Sequence, residues 1–112
     1  MAHHDSLGEL EQSVLLAIAH LAGDAYGVMI RREIASRSDR IVAVGALYTA
    51  LDRLERKGYV ASTMSDPTPQ RGGRSKRYFT LRPAGAAALR ASRELMDRMW
   101  AGLGPDLQRT RP

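Results

Sequence analysis

Cysteine is absent from the 112-residue chain, which excludes disulfides and thiolate metal sites. Histidine is scarce, and two of the three, His3 and His4, sit side by side in the leading segment with no further ligand nearby. No metal or other cofactor is expected. Long apolar runs are missing too: nothing approaches the roughly 18 residues of a membrane span. Met1-Ala2-His3-His4-Asp5 lacks the basic-then-apolar build of a signal peptide, so a soluble cytoplasmic protein with no membrane partner is expected. Catalytic constellations are also lacking. No paired carboxylates lie near a histidine and the glycines do not form a phosphate-binding loop, so an enzyme is not expected.

What is present is basic charge and helical periodicity. Lysine and arginine number 17 against 12 acidic residues, a net charge of +5 that is compatible with a polyanionic partner. The length suits one domain with a modest core. The most informative stretch runs from Gly45 to Gly58. Leu47, Ala50, Leu51 and Leu54 share an apolar stripe, while Thr49, Asp52, Arg53 and Arg56 fall on the opposite side. Gly58 ends this helix, because a left-handed residue there carries no Cβ clash. A short helix with a buried stripe and a polar, basic back suits the major groove, although an ordinary amphipathic surface helix has the same pattern.

Before it, Ser6-Leu7-Gly8-Glu9 fits a capping box for a first helix to about Leu21, with Leu7, Leu10, Val14, Ile18 and Leu21 on one face and Leu15 and Leu16 widening it. Asp24 is expected to cap a second helix from about Ala25 to Arg37, in which Tyr26, Ile30 and Ile34 recur every four residues. Tyr26 and Arg31 have two readings, contacts to a DNA backbone or a core-edge tyrosine and a solvated arginine. Ile41-Val42-Ala43-Val44 reads as a very short strand or an extended lead into the third helix.

Beyond Gly58, strand-forming segments at 59–65 and 76–81 predict a hairpin with Phe79 and Leu81 facing the core. Their connection holds Pro67, Pro69 and the Gly72-Gly73 pair, and Arg71, Arg74, Lys76 and Arg77 crowd around those glycines. A basic, glycine-rich hairpin tip after two such helices is a wing suited to phosphate contacts. Pro83 then opens a last helix to about Leu103. Leu89, Ser92, Met96, Met99 and Leu103 form a two-heptad seam along it, with Leu95 and Trp100 alongside. That surface calls for a second copy of the chain, or else for folding back on the first helix. The fold class expected is mainly α with a small β-hairpin (α+β). It consists of a winged helix-turn-helix over residues 7–82 and a C-terminal dimerisation helix over 83–104, between disordered tails at 1–6 and 105–112.

These residues resemble the PadR family of bacterial transcriptional regulators, in its compact form with a single C-terminal helix. The resemblance rests on Leu10-Glu11 with Val14-Leu15, Tyr26-Gly27, Gly45-Ala46-Leu47-Tyr48, Leu51 through Glu55 to Gly58, Gly72-Gly73-Arg74, Lys76 through Leu81, and Pro83-Ala84-Gly85. The chain departs from the family at Ala43-Val44, where a polar cap is usual, and at Arg82, where threonine is usual; each lost cap costs on the order of 1 kcal/mol. The resemblance implies a homodimeric, sequence-specific DNA-binding regulator, most often a repressor, acting on a pseudo-palindromic operator. DNA contacts are then expected from Tyr26, Arg31, Ala46, Tyr48, Thr49, Arg53, Arg71, Arg74 and Lys76. The dimer is expected through Leu89, Leu95, Met96, Met99, Trp100 and Leu103. Some compact members hold flat aromatic or cationic drugs between the C-terminal helices, and Met96 and Trp100 would line such an effector site or be plain dimer core. The rival reading is a winged-helix protein-interaction adaptor without specific DNA binding.

Overall fold

The computed structural model describes residues 7–65 and 75–108. Its elements are α1 (Glu9–Leu21), a 3-10 turn (Ala22–Asp24), α2 (Gly27–Ser38), α3 (Val44–Arg56), β1 (Val60–Met64), β2 (Arg77–Leu81), α4 (Pro83–Trp100) and a short α5 (Pro105–Gln108). Three helices pack around one core, an antiparallel hairpin closes it on one side, and α4 leads away. The expected α+β class and element order are those observed.

The core draws on α1, α2, α3 and both strands of the hairpin. Val14, Leu15 and Ile18 of α1, Ile30 of α2, Leu47, Leu51 and Leu54 of α3, Val60 of β1 and Phe79 of β2 are all buried. Burying a side chain of this size is worth roughly 1.5–3 kcal/mol, so this shared cluster is the main force holding the helices to the hairpin. Leu16 departs from the expected widening of the α1 stripe. It is half-exposed and lines a shallow groove between α1 and α2 with Ala17, His20, Ile34 and Arg37.

Helix starts are where the structure differs most from the sequence reading. Ser6 lies outside the described residues and α1 begins with Gly8 as its cap. Glu11, rather than Glu9, reaches back, its Oε1 accepting the Gly8 N–H at 3.1 Å. Glu11 is buried, and Lys57 beyond the end of α3 donates to its Oε2 at 3.2 Å. One carboxylate therefore serves the N-terminus of α1 and the C-terminal end of α3 together. Asp24 does not cap α2; it ends the 3-10 turn, and α2 starts after Tyr26 with no side-chain cap. Ala43 and Arg82 likewise precede α3 and α4 without side-chain caps, as the departures from the family pattern implied.

Residues 41–43 are an extended lead rather than a strand. Val42 is buried, and the Arg31 Nε donates to its carbonyl at 2.8 Å. Gly58, at φ 78°, ends α3 as expected: its N–H reaches Glu55 O and the Tyr59 N–H reaches Leu54 O, both at 3.0 Å. The hairpin pairs Val60 with Leu81 through Met64 with Arg77. A third edge is added where Phe79 donates to Ala25 O at 2.8 Å and Tyr26 bridges Tyr78. At Gly85 a Cβ would lie 2.3 Å from the Tyr59 carbonyl oxygen, so glycine is what lets α4 start against the hairpin.

The hairpin is locked to α3 by a polar junction. Glu55 accepts the Ser62 hydroxyl at 2.7 Å from β1 and the Arg77 guanidinium at 2.5 Å from β2. Arg77 lies over the Phe79 ring and also approaches Asp52 Oδ1 at 3.6 Å. The Ser62 hydrogen bond, opposed by partial burial and reinforced by Arg77, holds the Glu55 carboxyl below its ordinary value of 4.5. A carboxyl depressed in the folded state contributes stability that is full above its unfolded value and is lost as pH falls through the folded one. The gap in unfolding free energy between wild type and Glu55→Gln is therefore expected to hold from neutral pH to about 4.5 and to narrow below it. Urea unfolding at a series of pH values measures it; a gap that persists undiminished in acid would remove the junction from the account.

Candidate nucleic-acid interface

The rotation of α3 follows from its buried stripe. Leu47, Ala50, Leu51 and Leu54 are at most 4% exposed, so the opposite face must point outward. Gly45, Thr49, Asp52 and Arg56, stepping by four, three and four, form that outer ridge, and all are exposed. Ala46 and Arg53 lie on one flank, beside the N-terminus of α1, where with Thr49 they line a groove of about 430 Å³ together with Gly8 to Glu11. Val44 and Tyr48 lie on the other flank. The start of the ridge is sterically open: a Cβ on Gly45 would meet nothing within 4 Å.

Tyr48 is placed by α2 rather than by α3 alone. A Cβ on Gly27 would fall 2.3 Å from the Tyr48 hydroxyl oxygen, so the phenol occupies the space that the missing side chain leaves at the first turn of α2. Beside it, Tyr26 meets Tyr78 edge-on with ring centroids 5.3 Å apart, and the Lys76 ammonium lies 4.4 Å from the Tyr26 ring centroid. Tyr26, Tyr48, Tyr78 and Lys76 thus gather about the uncapped N-terminus of α2, where unpaired backbone N–H groups attract negative charge. Beyond the paired strands, the Ser65 N–H donates to Lys76 O and the Lys76 N–H to Ser65 Oγ, both at 2.8 Å.

Of the sequence-derived DNA contacts, Ala46, Thr49 and Arg53 come together along α3, and Tyr26, Tyr48 and Lys76 come together at the start of α2. Arg71 and Arg74 lie outside the described residues. Arg31 is partly buried and engaged within the domain, on the carbonyl of Val42. The sequence reading gave Gly27, Tyr78 and Glu55 no part in the site, and it counted Arg77 among the basic residues of the wing tip, whereas the structure turns Arg77 to Glu55. Arg77 carried a usable signal: it alternates in phase with the core residues Phe79 and Leu81, and an inward-facing charge needs an acidic partner.

The second face of interest is on α4 and α5. Leu95, Met96, Met99 and Trp100, with Leu103 and Leu107, are 44–67% exposed. All but Leu95 line a hollow of about 260 Å³. Leu89, expected in this seam, instead packs on the core of its own chain, because the first half of α4 lies against α1. Leu103 lies past the end of α4, which stops at Trp100, and Gly102 (φ 84°) turns the chain so that Leu103 and Leu107 rejoin the same patch. Residues 105–108, expected within a tail, form the turn of helix that carries Leu107. Among the described residues no helix is long and apolar enough to cross a membrane.

The fold is shared with solved regulators. A PadR family transcription regulator from Clostridium difficile R20291 is 25% identical, with 83% of this chain and 88% of that one covered and a TM-score of 0.64. A PadR-like transcriptional regulator from Bacillus cereus is 17% identical over 91% and 93% (TM-score 0.68), and RosR of H. salinarum is 23% identical over 92% and 86% (TM-score 0.65). No curated protein matches. The sequence pattern described as "Transcriptional regulator PadR-like family" matches residues 15–91. That match spans most of the chain, from within α1 to the middle of α4, and the protein belongs to the PadR-like family of transcriptional regulators and is not an enzyme.

Proposed function

We propose that this protein is a homodimeric repressor that binds a pseudo-palindromic operator in double-stranded DNA and answers to a small aromatic or hydrophobic effector. The observation that carries the DNA reading is the exposed α3 ridge together with the partly exposed tyrosines Tyr26 and Tyr78 and the exposed Lys76. The ridge enters the major groove, with Thr49 on it and Ala46 and Arg53 on its flank. Tyr26, Tyr48 and Lys76 hold a phosphate at the N-terminus of α2, where helix end, hydroxyls and ammonium all favour an anion. Arg71 and Arg74, outside the described residues, are proposed as further phosphate contacts. Each phosphate neutralised adds about 0.9 to the slope of log affinity against log salt. Lys76→Ala is expected to weaken binding to all duplexes alike and to lower that slope by about 1. Fluorescence anisotropy over a salt series reads both; an unchanged slope would leave Lys76 as no more than a partner for Tyr26.

The dimer reading rests on Leu95, Met96, Met99, Trp100 and Leu103, whose exposure exceeds what a monomer of this size needs. A second copy covers the patch, and its soft, polarisable methionines and indole are suited to admit a flat effector between Met96 and Trp100 of the two copies. Dimerisation sets the two α3 ridges about one helical turn of DNA, or a multiple of it, apart. Met96→Asp places two carboxylates at that symmetric contact, at a cost of several kcal/mol. Sedimentation at micromolar concentration is expected to show a wild-type dimer and a mutant monomer that keeps weak nonspecific DNA binding. A monomeric wild type, or a dimeric mutant, would place the contact elsewhere.

A further inference from the structure

A carboxylate stands in the middle of the ridge that faces DNA. Asp52 is 58% exposed, flanked on the ridge by Thr49 and Arg56, and its negative charge opposes any phosphate brought near it. Among the described residues its ion-pair partner is Arg77, which does not require it. Arg77 meets Glu55 at 2.5 Å and Asp52 only at 3.6 Å, so the guanidinium is already matched by the carboxylate on the inner side of α3. Arg56 turns its Nε to the Asp52 backbone carbonyl at 3.4 Å. An exposed pair of this geometry adds little to stability.

We infer that Asp52 determines sequence specificity by accepting a hydrogen bond from the N4 amino group of a cytosine in each half-site. The assignment rests on α3 entering the major groove, as proposed above. An ionised carboxylate only accepts hydrogen bonds, and the major groove offers two base donors, cytosine N4 and adenine N6. Adenine N6 lies beside the N7 acceptor, whose lone pair repels a carboxylate, whereas cytosine N4 has no such acceptor next to it on its own base. The same charge lowers affinity for every sequence that lacks the donor, which widens the ratio of specific to nonspecific binding.

The test uses the full chain. Wild type first selects its preferred sites from a randomised duplex library, and relative affinities are then measured for every single-base change in the selected site. Asp52→Ala is expected to lose at least about fivefold of discrimination at one C·G pair per half-site, leave the other positions unchanged and bind random DNA more tightly. Asp52→Asn is expected to move the preference at that pair from cytosine towards adenine, whose N6 and N7 an amide matches. Circular dichroism of both variants verifies that the fold is retained. Tighter binding to all sequences with every preference kept would overturn the assignment and reduce Asp52 to a counter-charge, while the reading of α3 as groove-bound would stand. If wild type selects no preferred sequence, the reading of the interface fails and this assignment fails with it.

Discussion

Three fully buried leucines on α3, Leu47, Leu51 and Leu54, set the rotation of the one helix whose other face is available for recognition. A helix has no freedom to choose its outer face once its inner face is buried: each side chain opposite the stripe is presented at a fixed angle. Turning α3 by one residue would bring Asp52 or Thr49 into the core and expose a leucine in its place. The cost of burying an unpaired carboxylate, together with the apolar area lost, exceeds anything the surface contacts of the helix can return. The ridge of Gly45, Thr49, Asp52 and Arg56 is therefore a consequence of the core.

Around that fixed helix the structure adds contacts that set distances to its neighbours. Gly27 removes a side chain so that Tyr48 can lie against the first turn of α2. Glu55 ties α3 to both strands of the wing through Ser62 and Arg77. The buried Glu11–Lys57 pair holds the start of α1 to the end of α3. Together they join α3 to α1, α2 and both strands of the hairpin, which fixes the positions of the Ser65–Lys76 pair, the N-terminus of α2 and the ridge relative to one another. Rigid placement of this kind is what allows contacts from several elements to meet a single length of duplex together.

Much of this was legible in the sequence, and what was not has a common cause. The α3 stripe, the Gly58 stop and the inward direction of Phe79 are local patterns with a period, and local patterns survive folding. The caps were misread because Ser6-Glu9 and Asp24 satisfy a local rule, while the structure ends its helices through tertiary geometry: Glu11 serves Lys57 as well as Gly8, and Tyr26 is fixed by Tyr78 across the hairpin. Arg31 could be placed on solvent or DNA equally well until the path of residues 41–43 brought Val42 O to it. Leu89 fell in the heptad register, but a register cannot say where along a helix the chain's own core ends and a partner's surface begins. The tightness of Gly27 was invisible because its neighbour is 21 residues away.

The central claim is that one rotation of α3, repeated by twofold symmetry, presents two ridges and two wings to the same face of a duplex. Hydroxyl-radical footprinting on a bound duplex tests this most directly. The account predicts two patches of protected backbone on one face, related by a pseudo-dyad, with centres about one helical turn or a multiple of it apart. A single protected patch, or protection spread evenly along the duplex, would contradict it.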